Sequence, residues 1–155
     1  MKAKWMAVLV IALLFSGCAG MQKPIVHKAG KDVFFVEVEE FDLTNAKVQE
    51  LDGASGGKVV VLQDENGKAE ATIPLRKGSY EITVYALGPS HEEDAFYMTV
   101  GDNAQKRRWP EKPGEILPTL DVVNFTQRAD GPCDILIRFA EPNVQLDRVQ
   151  FKKVR

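Results

Sequence analysis

A chain of 155 residues with 20 Lys and Arg against 22 Asp and Glu is one domain's worth of sequence, slightly acidic overall. That balance excludes the basic footprint nucleic-acid binding needs, so no nucleic-acid partner is expected. With only Cys18 and Cys133, and Cys18 at the end of an export signal, a disulfide framework is excluded as well.

Lys2 and Lys4 open the chain, and Trp5 to Phe15 is unbroken apolar sequence. This is a secretory signal, too short to span a bilayer as a helix. The stretch Leu14-Phe15-Ser16-Gly17-Cys18 resembles a bacterial lipoprotein lipobox, with Phe15 where Leu is usual. The resemblance implies removal of residues 1–17 and acylation of Cys18 by palmitate or a similar chain. Ala19 follows the cysteine rather than Asp. By the same analogy the address is the outer membrane of a cell envelope, with the membrane contacted through the lipid anchor. An ordinary signal peptide with an incidental Cys18 is the plainer alternative. Loss of Lys2 and Lys4 moves the formal charge from -2 to -4. Residues 18–30 hold Gly20, Pro24 and Gly30 without any period, and are expected to be a tether in which His27 is solvated. Residues 31–155 are the expected folded domain, long enough for a core of its own.

From Phe34 to Phe41 the pattern has period two: Phe34, Val36 and Val38 to one side, Phe35, Glu37 and Glu39 to the other. A single strand there sets two carboxylates about 7 Å apart on one face. They repel unless a cation lies between them; otherwise both face water on an edge strand. Lys47 to Leu51 alternates weakly, Asp52 to Gly57 is a turn cluster, and Lys58 to Leu62 follows as a strand. Asn66-Gly67 marks a turn. Ala69, Ala71, Ile73 and Leu75 alternate, and Arg76 to Ser79 turns the chain into Tyr80, Ile82, Val84 and Ala86.

Gly88 to Asp94 is an acidic loop, in which His91-Glu92-Glu93-Asp94 reads as solvated rather than as a metal site. Phe96, Met98 and Val100 form a strand face, Gly101-Asp102-Asn103 a hairpin turn, and Gln105 to Trp109 the return. Pro110 to Pro118 is a loop, and Val123 and Phe125 resume the alternation. Asp130-Gly131-Pro132 turns into Cys133 to Phe139, where Cys133 is expected to act as a small buried hydrophobe. Leu146 to Phe151 closes the domain. No window carries apolar residues at helical spacing. Nine or ten short strands, punctuated about every ten residues, predict an all-β antiparallel β-sandwich.

Four blocks, in order and at matching spacing over nearly all of residues 32–155, resemble one family. They are Val36-Glu37-Val38-Glu39, Ala54-Ser55-Gly56-Gly57-Lys58, Lys77-Gly78-Ser79-Tyr80-Glu81-Ile82 with Asp94-Ala95-Phe96-Tyr97 downstream, and Leu146-Asp147-Arg148-Val149. The sequence is similar to the calcium-stabilised carbohydrate-binding modules of galactose-binding-like jelly-roll type, families six, thirty-five and thirty-six. The resemblance implies a structural Ca2+ held by Glu37, Glu39 and Asp147. Calcium takes six to eight hard oxygens, so carbonyls of the Gly57-Lys58 turn would complete the set. Such an ion would join the first strand to the last. The plainer reading leaves both glutamates solvated and pairs Asp147 with Arg148.

The resemblance also implies a polysaccharide or glycan ligand at one loop edge. Trp109, the mature domain's one tryptophan, is the candidate platform. Asp94, Asn143 and Gln145 are the candidate polar contacts. Relatives often carry Asn at the position of Gln145, a departure that weakens the ligand reading. Lys106-Arg107-Arg108 reads as a solvated hairpin face. No nucleophile–base pair or phosphate loop emerges, and Glu37 and Glu39 share one predicted strand rather than flanking a cleft, so no enzyme activity is expected. The alternative function is a structural or assembly lipoprotein contacting an envelope protein partner without a glycan.

Overall fold

The structure is a computed structural model and describes residues 24–90, 92–108, 115–119 and 122–155. The alternating stretches form β1 (His27–Lys28), β2 (Val33–Glu37), β3 (Asp42–Thr44), β4 (Ala46–Glu50), β5 (Lys58–Leu62), β6 (Lys68–Leu75) and β7 (Gly78–Leu87). They continue as β8 (Ala95–Val100), β9 (Asn103–Arg108), β10 (Leu117–Pro118), β11 (Val123–Gln127), β12 (Gly131–Phe139) and β13 (Gln145–Lys153). β3, β6, β12, β8 and β9 make one sheet in that order, and the remaining strands make the other. The expected antiparallel sandwich of jelly-roll type is the observed fold. The strands beyond the expected number include β1, β3 and β10, two or three residues each and too short to show a period.

Inward-facing residues of the two sheets meet in one core. Val36, Ile82, Val84, Val149 and Phe151 come from one sheet, and Ile73, Met98, Ile135 and Ile137 from the other. Each large side chain fully withdrawn from water contributes roughly 1.5–3 kcal/mol. Cys133 is buried among them, and burial pushes its thiol up to about 11, so it behaves as the small hydrophobe expected.

β13 organises the first sheet. Along one edge it pairs with β7 over its whole length. Its other edge is shared: Arg148 to Lys152 pair with β2, and Gln145 and Leu146 pair with β5. Asp147 sits where one partner strand gives way to the next, and the register with β7 slips there, between Leu146 and Arg148. Such a bulge adds a residue and re-aims its side chain.

Two expectations need correction. Phe34 to Phe41 is not one strand: β2 stops at Glu37, and Val38–Glu40 is a 3-10 turn. The chain must cross there from the first sheet to β3 in the second, and burying both Val38 and Phe41 requires the crossing to turn inward. The expected Asn66-Gly67 turn is present and joins β5 to β6, which lie in different sheets. Residues 18–30 are not wholly tether, because His27 and Lys28 pair with Phe35 and Phe34. His27, its side chain 39% exposed, stacks on the Phe35 ring at 5.0 Å between centroids.

Candidate functional site

Glu37 ends β2, Glu39 lies in the turn that follows, and Asp147 occupies the bulge of β13. A second 3-10 turn, Ser55–Gly57, closes over them. Ser55 is the keystone. Its backbone N–H donates to Asp147 Oδ1 at 2.7 Å, and its hydroxyl donates to Glu37 Oε1 at 2.7 Å. Gly56 follows at φ 66°, where a Cβ would stand 3.0 Å from Glu39 Oε1. The small-Gly-Gly sequence is therefore required twice, by the left-handed backbone and by the closeness of the carboxylates. The three predicted carboxylates are brought together, but not by the one-strand face the alternation implied.

The electrostatics of this cluster are unbalanced. Glu37 and Asp147 are buried, Asp147 completely. Burial raises Asp147 to about 6, against the opposing pull of Arg148 and the Ser55 N–H, and Glu37 adds to the rise. Burial also raises Glu39, helped by the charges of Glu37, Asp147 and Glu40 and opposed by a backbone hydrogen bond. Glu37 Oε2 and Glu39 Oε2 are buried with no hydrogen-bond partner. An unpaired buried acceptor costs roughly 1–3 kcal/mol, more when charged. Asp147 is better served: Oδ2 takes a bond from Arg148 Nη1 at 3.2 Å. With both Asp147 oxygens engaged by protein donors, no three carboxylates among the described residues stand as a ready-made metal cage. The donor chemistry still suits a hard cation: two orphaned carboxylate oxygens from Glu37 and Glu39, and spare lone pairs on Asp147.

The turn also fastens the start of the domain. Glu40 accepts the Ile25 N–H at 2.6 Å and lies 3.8 Å from His27 Nε2. Nothing in the sequence marked this contact.

The second predicted site lies at the loop edge. Asn143, at φ 59°, donates its amide to Glu93 Oε1 at 2.7 Å, and the Asp94 N–H donates to Glu141 Oε2 at 2.9 Å. Asp94 and Asn143 are thus held on adjoining loops through Glu93 and Glu141, which sequence reasoning passed over. Gln145 opens β13 between Leu87 and Val61, with its Oε1 buried and unpartnered. Ala95 stands opposite Arg108 across the β8–β9 hairpin. Cys18, His91 and Trp109, together with the side chains of Lys106, Arg107 and Arg108, lie outside the described residues.

No protein-family model matches the sequence, and no curated protein sequence matches it. Solved structures do match. The GH26-CBM35 β-(1,4)-mannanase of Podospora anserina superposes with TM-score 0.67 at 14% identity over 81% of this chain, which spans 28% of that one. A protein of Listeria monocytogenes in complex with α-D-glucose, β-D-glucose, magnesium and calcium gives 0.64 at 19% over 76%, and there the chain spans 12%. A family 35 carbohydrate-binding module of Clostridium thermocellum gives 0.60 at 16% over 76%, covering 97% of that module. The chain has the jelly-roll fold of a carbohydrate-binding module, at the size of one such module.

Proposed function

We propose that this protein is a non-catalytic glycan-binding module of the cell envelope, lipid-anchored at the outer membrane and clasped by calcium. One observation carries the binding reading: the domain matches an isolated family 35 carbohydrate-binding module over nearly that module's full length. The loop edge supports it. Asp94 and Asn143 are pre-positioned by Glu141 and Glu93. Trp109 follows directly on β9, whose last residue, Arg108, pairs with the start of β8. Sugars take an aromatic face against their C–H patch and a few polar groups on their hydroxyls.

Glu37, Glu39 and Asp147 would hold the calcium ion, with Ser55 and Gly56 shaping the site. The ion would neutralise the buried carboxylates and tie β2 to β13. The non-catalytic reading is supported by the placement of Glu37, buried, and Glu39, half-buried, beneath a turn rather than across a cleft. The anchor reading is supported by the apolar run before Cys18.

Glycan-array or affinity-gel binding tests the proposal. Binding is expected in wild type, lost in Trp109→Ala and weakened in Asn143→Ala. No binding to any glycan, with a stable envelope protein in pull-down, would favour an assembly role. Palmitate labelling of the full chain, absent in Cys18→Ala, tests the anchor.

A further inference from the structure

The turn of the β1–β2 hairpin borders an open cavity of about 510 Å³ that neither candidate site uses. Lys28, Lys31, Arg76 and Lys153 line it against a single carboxylate, Asp32. This excess of positive charge stands out in a chain whose net charge is -2. Lys28, Lys31 and Arg76 have no ion-pair partner among the described residues. Lys153 is held in place by the Lys77 carbonyl, 2.8 Å from Nζ. Phe34 and Leu75 give the cavity an apolar wall beneath the cationic rim.

The surroundings are apolar where a soluble surface is usually polar. Val26, which lines the cavity, is 40% exposed, and Val154, next to Lys153, is 43% exposed; they are two of the six large apolar side chains exposed among the described residues. Exposed aliphatics beside unpaired Lys and Arg are what a bilayer interface accepts: aliphatics among the acyl chains, cations on the phosphates. A free anion would use the cations and leave the aliphatics without a role. The segment also lies close in sequence to Cys18.

We propose that this end of the sandwich docks on an anionic bilayer, with the cavity taking the phosphate of one acidic phospholipid. Docking this way turns Val26, Lys28 and Lys31 to the membrane. It leaves the loop edge around Asn143, at the opposite end of β13, facing away.

The orientation rests on the lipid-anchored reading; the binding itself does not. The test therefore uses a chain beginning at Ala19, which carries no acyl group but holds both sheets and the whole described core. Co-sedimentation is measured with vesicles of phosphatidylglycerol in phosphatidylcholine and of phosphatidylcholine alone. Binding is expected to the mixed vesicles only, falling with salt. Lys28→Ala, Lys31→Ala and Arg76→Ala should each weaken it about fivefold. Val26→Ser with Val154→Ser should weaken it too, while Lys47→Ala, on β4, leaves it unchanged. All variants should keep the wild-type melting midpoint. Equal binding to both vesicle types, or equal loss in Lys47→Ala, overturns the proposal. So does protection of the cavity by inorganic phosphate, or by a soluble acidic polysaccharide, without vesicle binding. Failure here counts against the cavity, whereas missing palmitate label in the full chain counts against the anchor.

Discussion

Arg148 Nη1 lies 3.2 Å from Asp147 Oδ2, and the same guanidinium sits 4.1 Å from the centroid of the Tyr85 ring. Consecutive residues of a strand ordinarily point to opposite faces. The bulge between Leu146 and Arg148 lets these neighbours meet. Phe35 flanks the guanidinium at 5.5 Å on the adjacent strand. One side chain thus bridges the carboxylate cluster and an aromatic face.

Arg148→Lys keeps a charge but loses the planar fork and the stacking on Tyr85. It is expected to lower stability by about 1–2 kcal/mol in calcium-free buffer. Arg148→Met should cost more, because it leaves Asp147 without a cation. Urea unfolding measures both. If calcium fills the cluster, it should narrow the gap between Arg148→Met and wild type; an unchanged gap would mean the ion does not reach Asp147.

Calcium should stabilise the native state by mass action. At a hundredfold excess over its dissociation constant the gain is about 2.7 kcal/mol. For a domain of this size that is a rise of roughly 10 °C in melting midpoint. Asp147→Asn and Glu37→Gln should abolish the calcium response. Identical melts with calcium and with chelator would remove the ion from the account.

The pH dependence of the calcium-free protein has a definite sign. Asp147 is raised from 3.8 to about 6 on folding, so the folded state holds a proton that the unfolded chain releases. Its contribution to stability is therefore full below about pH 4 and is lost as pH rises through about 6. The loss is on the order of 3 kcal/mol, with Glu39 shifting stability in the same direction. If calcium fills the cluster the order should reverse, since the ion requires the ionised carboxylates. Melting midpoints across pH 4–7, with and without calcium, should diverge upward in pH; parallel curves would contradict the reading.

Two glycines separate backbone strain from crowding. Gly53 is at φ 87° and a Cβ added there would meet nothing within 4 Å, whereas at Gly56 the Cβ would stand 3.0 Å from Glu39 Oε1. Gly53→Ala should cost about 1 kcal/mol through its left-handed backbone alone. Gly56→Ala should cost more and also weaken calcium binding, as read by the calcium-induced shift in midpoint. Equal effects at the two positions would show that Glu39 simply moves aside.

The sandwich was legible because period-two alternation is a local property, and Tyr80 to Ala86 or Cys133 to Phe139 carries it without ambiguity. Which sheet a strand joins is not local. Hence the turn at Asn66-Gly67 does not reveal that β5 and β6 part company, and Val38 continues an alternation that the chain abandons to change sheets. The carboxylate cluster was legible in its members but not in its construction. Ser55 and Gly56 stand far from Asp147 in sequence, and only β13 brings them together. The cationic cavity left no signal, because Lys28, Arg76 and Lys153 come from three separate segments.

β13 has a mechanical consequence. It runs from Gln145 at the loop edge to Lys153 at the cationic end, roughly 30 Å of extended chain. Its ladder bonds to β2, β5 and β7 lie across that axis. A pull between a ligand held at one end and a surface held at the other runs along β13. Those bonds then share the load in shear instead of parting one after another from an end.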